Sequence, residues 1–371
     1  MTNLETATWV YDGDDNNGIG IYFRTRPTGR PTCNSVVITV YLPPGVMTQK
    51  TTWPKADHVI LRHHRSANPG MRDNGFYDIR GCSMTNNNAT ALDPRWGKPD
   101  PTHDPWILAH FQPRASDVLI TTAPKSGTTW MQNILHQLRS GGDPSFDSID
   151  GVVPWLELPR DGLDHESVLE AYEGIESPRI FKTHCTREQT PGNDTVRIIL
   201  SSRDPRDCMV SFYHHVMDMT DAARTHGQFA DLKTFDDVFD RWMSFGAWFR
   251  NIQSWWPHFD DDNVLWLRYE DMKQDTDHSV DRILEFLDWH ISNTQREAVN
   301  EYISFDWMKA HSDKFTMSHR GEPLFRPGGF IRKGEVGDHN QQLGKTQEQQ
   351  ILDRAHELLA DDCLDFLGLT S

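Results

Sequence analysis

The stretch LITTAPKSGTTW, residues 119–130, decides the fold. An apolar, strand-like run ends in a short loop of small and polar residues, and a helical pattern begins directly after it. Unpaired N–H groups at a helix N-terminus carry the positive end of the helix dipole and bind anions, and Gly127 allows close approach. Lys125 adds a point charge, and three hydroxyl groups add donors: Ser126, Thr128 and Thr129. The stretch therefore predicts a phosphate-binding loop.

The order of residues in this loop differs from that in nucleotide hydrolases. Their P-loop places four residues between two glycines, and a lysine follows the second glycine. Here Lys125 precedes Gly127, which is the only glycine of the loop. The loop is therefore P-loop-like, and an ordinary turn between a strand and a helix is the alternative interpretation.

After residue 115, short apolar runs alternate with helical patterns. The runs are rich in Ile, Val and Leu, as expected of strands buried on both faces: DVLITT (117–122), RIFKTH (179–184), VRIILSS (196–202) and NVLWLRYE (263–270). Helical periodicity is present at 127–139, 205–217, 234–257 and 271–288. The alternation predicts an α/β fold with a central parallel sheet flanked by helices, which binds ligands at the carboxyl ends of its strands.

Residues 1–115 have a different composition. Gly, Pro, Asn and Asp are dense there and interrupt any long helix, as in YDGDDNNGIG and DPRWGKPDPTHDP. Short β-like runs lie between these breakers: GIGIYFRTR, SVVITVYL and DHVILRHH. We therefore predict an N-terminal β-rich extension with a linker at 1–115 and one large domain at 116–371.

The composition argues against several classes of partner. With 54 acidic and 37 basic residues, the formal net charge of −17 opposes general affinity for nucleic acid or an anionic membrane. The five cysteines are scattered without a CxxC pair, so neither a disulfide framework nor a zinc site is indicated. The acidic N-terminus does not resemble a signal peptide, and no apolar stretch approaches the roughly 18 to 20 residues of a membrane span. We expect a soluble, cytoplasmic protein.

A second segment, SSRDPRDCMVSFYHH at residues 201–215, again leads from a strand into a helix. Asp204 is placed as the N-cap, and Pro205 suits the first helical turn. Arg203 and Ser211 would then converge on one anion from the strand end and from the second turn of the helix. An Arg–Asp salt bridge at the surface is the alternative.

A third segment, FIRKGEVGDHNQQL at residues 330–343, is a basic loop. Arg332 and Lys333 are followed by Gly334 and Gly337, whose backbone can approach a ligand closely. Basic loops are usually only solvated. In an acidic protein with two other cationic segments, we expect this loop to form a third wall around a polyanion.

Together the three segments resemble the cytosolic sulfotransferase family, which uses 3′-phosphoadenosine 5′-phosphosulfate (PAPS). The family's patterns are matched in order: Pro-Lys-Ser-Gly-Thr-Thr-Trp at 124–130, Arg-x-x-x-Asp-x-x-x-Ser at 203–211 and Arg-Lys-Gly-x-x-Gly-Asp at 332–338. Three shorter segments follow the same order: KTH at 182–184, RYEDM at 268–272 and SFDWMK at 304–309. The resemblance covers about residues 115–345 and is highly specific.

The resemblance implies which residues bind the nucleotide. The 5′-phosphosulfate would be held by Lys125, Ser126, Gly127, Thr128 and Thr129, and Lys125 would neutralise the bridging oxygen as it becomes part of the leaving phosphate. The 3′-phosphate would be bound by Arg203, Ser211, Arg332, Lys333 and Gly334, beside Ile331. The adenine would pack on Trp130, Tyr269 and Phe305. The product would be adenosine 3′,5′-bisphosphate (PAP), and no metal would be needed because the lysine and the backbone amides supply positive charge.

The resemblance also places Lys182 and His184 beside the sulfuryl group, with His184 as the general base. The residue itself supports this role, because an imidazole with an ordinary pKa near 6.5 can be neutral at pH 7 and accept a proton. A core histidine with satisfied hydrogen bonds is the alternative. The adjacent pairs His63–His64 and His214–His215 are expected to be structural or incidental, because neighbours chelate one metal poorly.

We therefore predict an enzyme that transfers a sulfuryl group from PAPS to a hydroxyl or an amine of a small-molecule acceptor. A nucleotide-dependent kinase or hydrolase and a catalytically silent binding protein are the alternatives. Candidate acceptor walls are Trp155, Leu156, residues 213–217 and the loop at 316–329. The chain departs from the family at His339, where the family has Trp, and at Ile303, where Thr is frequent; the family's dimerisation motif is not kept, so the oligomeric state is open.

Overall fold

The computed structural model describes residues 92–160, 162–226, 229–319 and 322–370, and the backbone of four N-terminal strands. The chain divides into two units, Met1–Ala91 and Leu92–Ser371. The first unit contains a sheet in the order β1-β2-β3-β4, with only the β3/β4 pair parallel. Its strands are β1 (Thr8–Tyr11), β2 (Ile19–Thr25), β3 (Ser35–Val40) and β4 (His58–His63). The last three coincide with the predicted β-like runs.

The second unit is an α/β domain. Its strands are β5 (Val118–Ile120), β6 (Ile180–Lys182), β7 (Arg197–Ser202), β8 (Val264–Arg268), β9 (Ser318–His319) and β10 (Glu322–Pro323). Its α-helices are α1 (Pro105–His110), α2 (Thr128–Ser140), α3 (Ile149–Val152), α4 (His165–Glu173), α5 (Pro205–Met217), α6 (Asp221–His226), α7 (Phe235–Phe245), α8 (Ala247–Trp255), α9 (Tyr269–Gln274), α10 (Thr276–Leu287), α11 (Asn293–Tyr302), α12 (Phe305–Ala310), α13 (Lys345–Leu358) and α14 (Asp361–Leu367). No helix in the described part of the chain is long and apolar enough to cross a membrane.

Strands β5 to β8 form one parallel sheet in the order β6-β5-β7-β8. Their side chains alternate between two buried clusters, with Leu119 and Ile198 in one and Ile120 and Ile199 in the other. Helices α5, α8 and α13 pack on the first cluster, and α2, α10 and α11 pack on the second. The predicted parallel sheet flanked by helices is therefore confirmed. Strands β6 and β7 lie on opposite sides of β5. The chain therefore leaves β5 toward one edge of the sheet and leaves β7 toward the other edge, and this divergence opens a crevice for a ligand between the two strand ends.

The helices follow the sequence pattern with two corrections. The predicted helix at 234–257 is two helices, α7 and α8, because Gly246 adopts a φ of 57° and ends the first of them. The predicted helix at 271–288 is also two, α9 and α10, separated at Asp275. The Asp275 side chain accepts a hydrogen bond from the His278 N–H and caps α10. The periodicity predicted the helical faces but not these breaks.

Residues 92–115 lie with the second unit, although the sequence interpretation counted them with the N-terminal extension. Trp96, Ile107 and Leu108 are buried in the cluster that also holds Leu119. The Pro-rich stretch that resembles a linker begins short helices, because Asp104 caps α1 and Pro105 occupies its first turn. These apolar side chains add to the core of the domain.

Candidate active site

A cavity of about 1050 Å³ opens at the carboxyl ends of the four parallel strands. It is where the three cationic segments meet, as the sequence predicts. Fifteen of the predicted site residues line it: Lys125, Gly127, Thr128, Thr129, Trp130, Lys182, His184, Arg203, Ser211, Tyr269, Phe305, Ile331, Arg332, Lys333 and Gly334.

The loop between β5 and α2 is tightly wound and closely covered. Lys125 has a φ of 69° and Gly127 a φ of 92°, and α2 begins directly after Gly127 without a side-chain cap. A Cβ at Gly127 would lie 2.8 Å from Cδ2 of Tyr269, so only glycine fits there. The buried Oγ1 of Thr128 has no hydrogen-bond partner among the described residues. Uncapped helix N–H groups and an unpartnered hydroxyl fit an anion at this position.

Ser126 does not lie where the sequence places it. Its side chain is buried and its Oγ lies 3.4 Å from Sγ of Cys208, beneath the loop and outside the cavity lining. Its carbonyl oxygen accepts a hydrogen bond from Oγ of Ser201 at 2.7 Å. Ser126 therefore holds the loop onto β7 and α5, and its hydroxyl does not face the position expected for the phosphosulfate.

Lys125 is surrounded by other cationic groups. Burial, followed by the charges of Lys182, Arg203 and Arg332, lowers the pKa of Lys125 to about 7. Its Nζ lies 3.1 Å from Nδ1 of His215, which also lines the cavity. An anion at the loop would offset the repulsion and favour the ammonium form. The sequence interpretation rated His215 as structural or incidental and missed this contact.

The basic loop is fastened to α5 by a buried carboxylate. Asp207 accepts hydrogen bonds from the backbone N–H groups of Gly337, at 2.8 Å, and His339, at 3.0 Å, and its Oδ1 lies 2.8 Å from Nδ1 of His339. Burial acts to raise the pKa of Asp207, but the hydrogen bonds from His339 and the charge of Arg203 lower it to about 2. His339, which replaces the family's Trp, thus takes part in holding this loop.

The guanidinium of Arg203 lies between this loop and the ring of Tyr269, 4.7 Å from the ring centroid. Its Nη2 donates to the carbonyl oxygen of Glu335 at 2.7 Å, while its buried Nε has no partner in the described part of the structure. Arg332 forms an ion pair with Asp338, and Nζ of Lys333 lies 3.1 Å from the same carboxylate. These cations and Ser211 line the same cavity.

Aromatic side chains form a slot beside the loop. Trp130 and Tyr269 pack edge to face with ring centroids 5.7 Å apart, and the Tyr269 hydroxyl donates to the carbonyl oxygen of Gly334 at 3.2 Å. Nζ of Lys273 lies 5.6 Å from the ring centroid of Phe305 and 5.8 Å from that of Trp130. Sequence reasoning missed Lys273, although its spacing of four residues from Tyr269 on one helix places the two on the same face.

His184 is held as a neutral imidazole. Its Nδ1 lies 2.7 Å from the carbonyl oxygen of Thr122, so Nδ1 carries the proton and Nε2 carries the lone pair. Burial, followed by the charge of Lys182, lowers the pKa of His184 to about 3. Nζ of Lys182 lies 4.1 Å from the ring centroid of Trp155, and burial lowers the pKa of Lys182 to about 8. The pKa of His184 is below the ordinary value near 6.5 expected from the sequence. An anion bound beside Lys125 and Lys182 would raise this pKa and make the lone pair on Nε2 a stronger base.

Another part of the cavity wall is apolar. Its wall includes aromatic and aliphatic side chains: Trp155, Phe212, Met219, Phe229, Trp248, Met317, Leu324, Phe325 and Phe330. Of the predicted acceptor walls, Trp155 and part of the loop at 316–329 line the cavity. Leu156 is fully buried away from it, and of residues 213–217 only His215 reaches it.

Comparisons with known proteins agree with this geometry. The sulfotransferase domain family matches residues 115–362. The chain is 30% identical over 267 residues to sulfotransferase 1 family member D1 of Mus musculus, which covers 69% of this chain and 88% of the relative. Nothing in these matches supports the kinase or hydrolase alternative.

Two solved structures share the fold. One is mouse sulfotransferase SULT7A1 complexed with PAP, with a TM-score of 0.54, 22% identity and coverage of 70% of this chain and 89% of that chain. The other is retinol dehydratase in complex with androsterone and inactive cofactor PAP, with a TM-score of 0.52, 23% identity and coverage of 68% and 82%. The extent of the domain match and the relative at 30% identity show the family. The chain therefore belongs to the sulfotransferase family and is a PAPS-dependent enzyme.

Proposed function

We propose that this enzyme transfers the sulfuryl group of PAPS to a hydroxyl, or an amine, of a largely apolar small molecule, with His184 as the general base. The observation that carries the proposal is one cavity with two different ends. One end gathers the cations of three separated segments, and apolar and aromatic side chains form another part of the lining. Lys125 and His184 lie in the same cavity and can act on both substrates.

The residues at the cationic end fit a nucleotide with charged groups at both ends. The loop of Lys125 and Thr128 would hold the 5′-phosphosulfate, and Arg203 with Arg332 would hold the 3′-phosphate. The unpartnered Thr128 Oγ1 and Arg203 Nε support this, because buried polar atoms are rarely left without partners. The aromatic slot of Trp130, Tyr269 and Phe305 would pack on the adenine.

The chain's own residues supply what the transfer needs. His184 would take the proton of the acceptor hydroxyl at Nε2 while the acceptor oxygen bonds to sulfur. As the bond between sulfur and the 5′-phosphate oxygen breaks, Lys125 and the N–H groups at the start of α2 would stabilise the charge that develops on that oxygen. Lys182, beside His184, would bind the sulfuryl oxygens. The products are the sulfated acceptor, PAP and a proton released through His184.

The acceptor is proposed to be a small molecule with a substantial apolar surface. Pockets of this kind derive affinity from apolar area and orientation from a few polar groups. Phe212, Phe229 and Phe325 supply such area in the cavity that His184 also lines. The solved structure of retinol dehydratase contains androsterone, a small-molecule ligand of that protein, which supports the same class of ligand here.

A cytoplasmic location is also part of this proposal. Within the described residues, Cys185, Cys208 and Cys363 are buried free thiols. Unpaired cysteines are typical of a reducing compartment.

The proposal is tested by assaying the purified full-length chain with sulfur-labelled PAPS and a panel of hydroxylated and amine-bearing aromatic and alicyclic compounds. We expect label in at least one acceptor with an equal amount of PAP released. Lys125→Ala should lose the transfer, because the charge on the leaving phosphate oxygen is no longer neutralised. Absence of transfer to every acceptor, together with failure to bind PAP, would overturn the proposal.

A further inference from the structure

Three potential metal ligands lie together in the cavity wall, and none has a role in the transfer proposed above. They are His103, Glu157 and Cys185, which offer one nitrogen, one oxygen and one sulfur within 4.8 Å of one another. Glu157 is 2% exposed and Cys185 is 3% exposed. Oε2 of Glu157 is buried and has no hydrogen-bond partner among the described residues. A buried carboxylate oxygen without a partner calls for an occupant.

Hydrogen bonds around the cluster orient His103 and Glu157. Nε2 of His103 lies 2.6 Å from the carbonyl oxygen of Trp96, so Nε2 carries the proton and Nδ1 the lone pair. Oε1 of Glu157 accepts the backbone N–H of His184 at 3.0 Å, which orients the carboxylate and leaves Oε2 unused. Metal-ligating histidines nearly always donate their other N–H to a carbonyl or carboxylate, and ligating carboxylates are themselves hydrogen-bonded.

The thiol is also held in place through its backbone. The Cys185 N–H donates to Oγ1 of Thr183 at 3.0 Å, and its carbonyl oxygen accepts from Nδ2 of Asn251 at 2.9 Å. Asn251 is itself buried and donates to the carbonyl oxygen of Thr121 at 2.9 Å. The sulfur therefore lies on a hydrogen-bonded segment that follows β6, and a fixed ligand loses little entropy on binding a metal.

The distances are close to those of a metal centre. Three atoms within 4.8 Å of one another have a common centre no more than about 2.8 Å from each, since 4.8 Å divided by √3 is 2.8 Å. Zinc ligands lie at roughly 2.0 to 2.3 Å, so shifts of about 0.5 to 0.8 Å would close the site. Changes of this size are within reach of side-chain rotations.

We propose that His103, Glu157 and Cys185 bind a divalent transition-metal ion of the zinc class, with the fourth position open to the cavity. Thiolate and imidazole ligands favour such ions over magnesium or calcium, and three protein ligands with one open position are the pattern of non-structural zinc sites. The ion is separate from the sulfuryl transfer, for which Lys125 and the loop amides supply the positive charge. The sequence indicates no zinc site, because the three ligands come from distant segments without a CxxC pair.

The test uses cobalt as a spectroscopic probe of the full-length chain after chelator treatment and dialysis. We expect one equivalent of Co²⁺ to give a thiolate-to-cobalt charge-transfer band with the visible bands of a four-coordinate site, and Zn²⁺ to displace it. Cys185→Ser should abolish the charge-transfer band. His103→Asn should weaken Zn²⁺ binding at least about 100-fold, because even loss of an outer-shell partner costs 10- to 100-fold.

Cys363→Ser is the matched control, because Cys363 is a buried thiol outside the cavity; it should keep the band. PAP affinity, measured on every variant, shows whether the fold is retained and does not depend on the metal. A wild-type chain without a saturable thiolate-to-cobalt band would overturn the proposal, since His103, Glu157 and Cys185 would then interact only with one another. A band that survives in Cys185→Ser would overturn it as well, because the thiolate would belong to another cysteine.

Discussion

Nζ of Lys125 lies 3.1 Å from Nδ1 of His215, so the lysine of the loop between β5 and α2 is held by a histidine of α5. The His215 ring packs against Phe325 and Phe330, with centroid distances of 4.7 and 6.0 Å. Burial, followed by the charge of Lys125, lowers the pKa of His215 well below its ordinary value. A neutral imidazole accepts a hydrogen bond from the ammonium without adding charge. His215 is therefore a positioning residue for Lys125.

The first prediction concerns the pH dependence of PAP binding. The pKa of Lys125 is lowered to about 7, so below pH 7 the ammonium is present and above it binding must take up a proton. We expect PAP affinity to fall between pH 7 and 8, approaching tenfold per pH unit at most. Calorimetry in two buffers with different ionisation enthalpies should show proton uptake at pH 8.

Lys125→Arg is the control for this prediction, because arginine stays charged across the range. The variant should lose most of the pH dependence between pH 7 and 8. The cations that face Lys125 are Lys182, Arg203 and Arg332, and of these only Lys182, with a pKa lowered to about 8, begins to titrate there. An unchanged pH dependence in Lys125→Arg would show that another group takes up the proton.

Gly127→Ala should abolish PAP binding and lower the free energy of unfolding by about 1 to 3 kcal/mol, the usual cost of a non-glycine residue at a positive φ. The φ of Gly127 is 92°, and the added Cβ would lie 2.8 Å from Cδ2 of Tyr269. Gly162→Ala is the matched control, with a φ of 79° and no atom within 4 Å of the added Cβ. It should show similar strain in denaturant unfolding but normal PAP affinity. Equal PAP affinity in both variants would contradict the close approach argued for Gly127.

Much of the site could be predicted from local sequence, because motifs that bind or cap through backbone groups consist of consecutive residues. The loop at Lys125 and Gly127 is an example, as are the Asp204 cap and the position of Arg203 at a strand end. His184 was also predictable, since it follows the strand that ends at Lys182. In each case the strand or helix next to the motif determines where the side chain lies.

Other features depend on contacts between distant segments and could not be predicted. The Ser126 hydroxyl turns toward Cys208 because α5 packs beneath the loop. The sequence marked His339 only as a departure from the family's Trp, yet Asp207 of α5 binds both its backbone and its ring. The contact of His215 with Lys125 joins residues 90 positions apart. Sequence periodicity carries no information about such pairs.

Asp207→Asn should weaken PAP binding by about tenfold or more, because loss of its charge leaves Arg203 without its buried partner and loosens the basic loop. It should also change the response to acid. The pKa of Asp207 is lowered to about 2, so the ionised carboxylate stabilises the folded state at pH values above its ordinary pKa. This stabilisation is lost as the pH falls from about 4 toward 2. Denaturant unfolding at pH 3 and pH 6 checks this, and the variant should show a smaller difference between the two. Asp271→Asn, at an exposed carboxylate, should behave like wild type.

Phe229→Ala should raise the acceptor KM by about 10- to 100-fold, because burying a phenylalanine side chain contributes about 1.5 to 3 kcal/mol. Phe229 lines the apolar wall and packs edge to face on Phe212, with centroids 5.8 Å apart. PAP affinity should be unchanged. Phe259→Ala, whose ring packs on Trp256 outside the cavity, is the control. A loss of PAP affinity without a change in acceptor KM would place Phe229 at the wrong end of the cavity.

The most direct test of the central claim is single-turnover sulfuryl transfer by His184→Ala, measured beside its affinity for PAP. Loss of the base that Thr122 holds in its neutral form should slow transfer by about 10²- to 10⁴-fold and leave PAP affinity unchanged. His214→Ala is the control, because His214 bonds to Gln342 and does not line the cavity. Transfer by His184→Ala at a rate near that of the wild type would contradict the account.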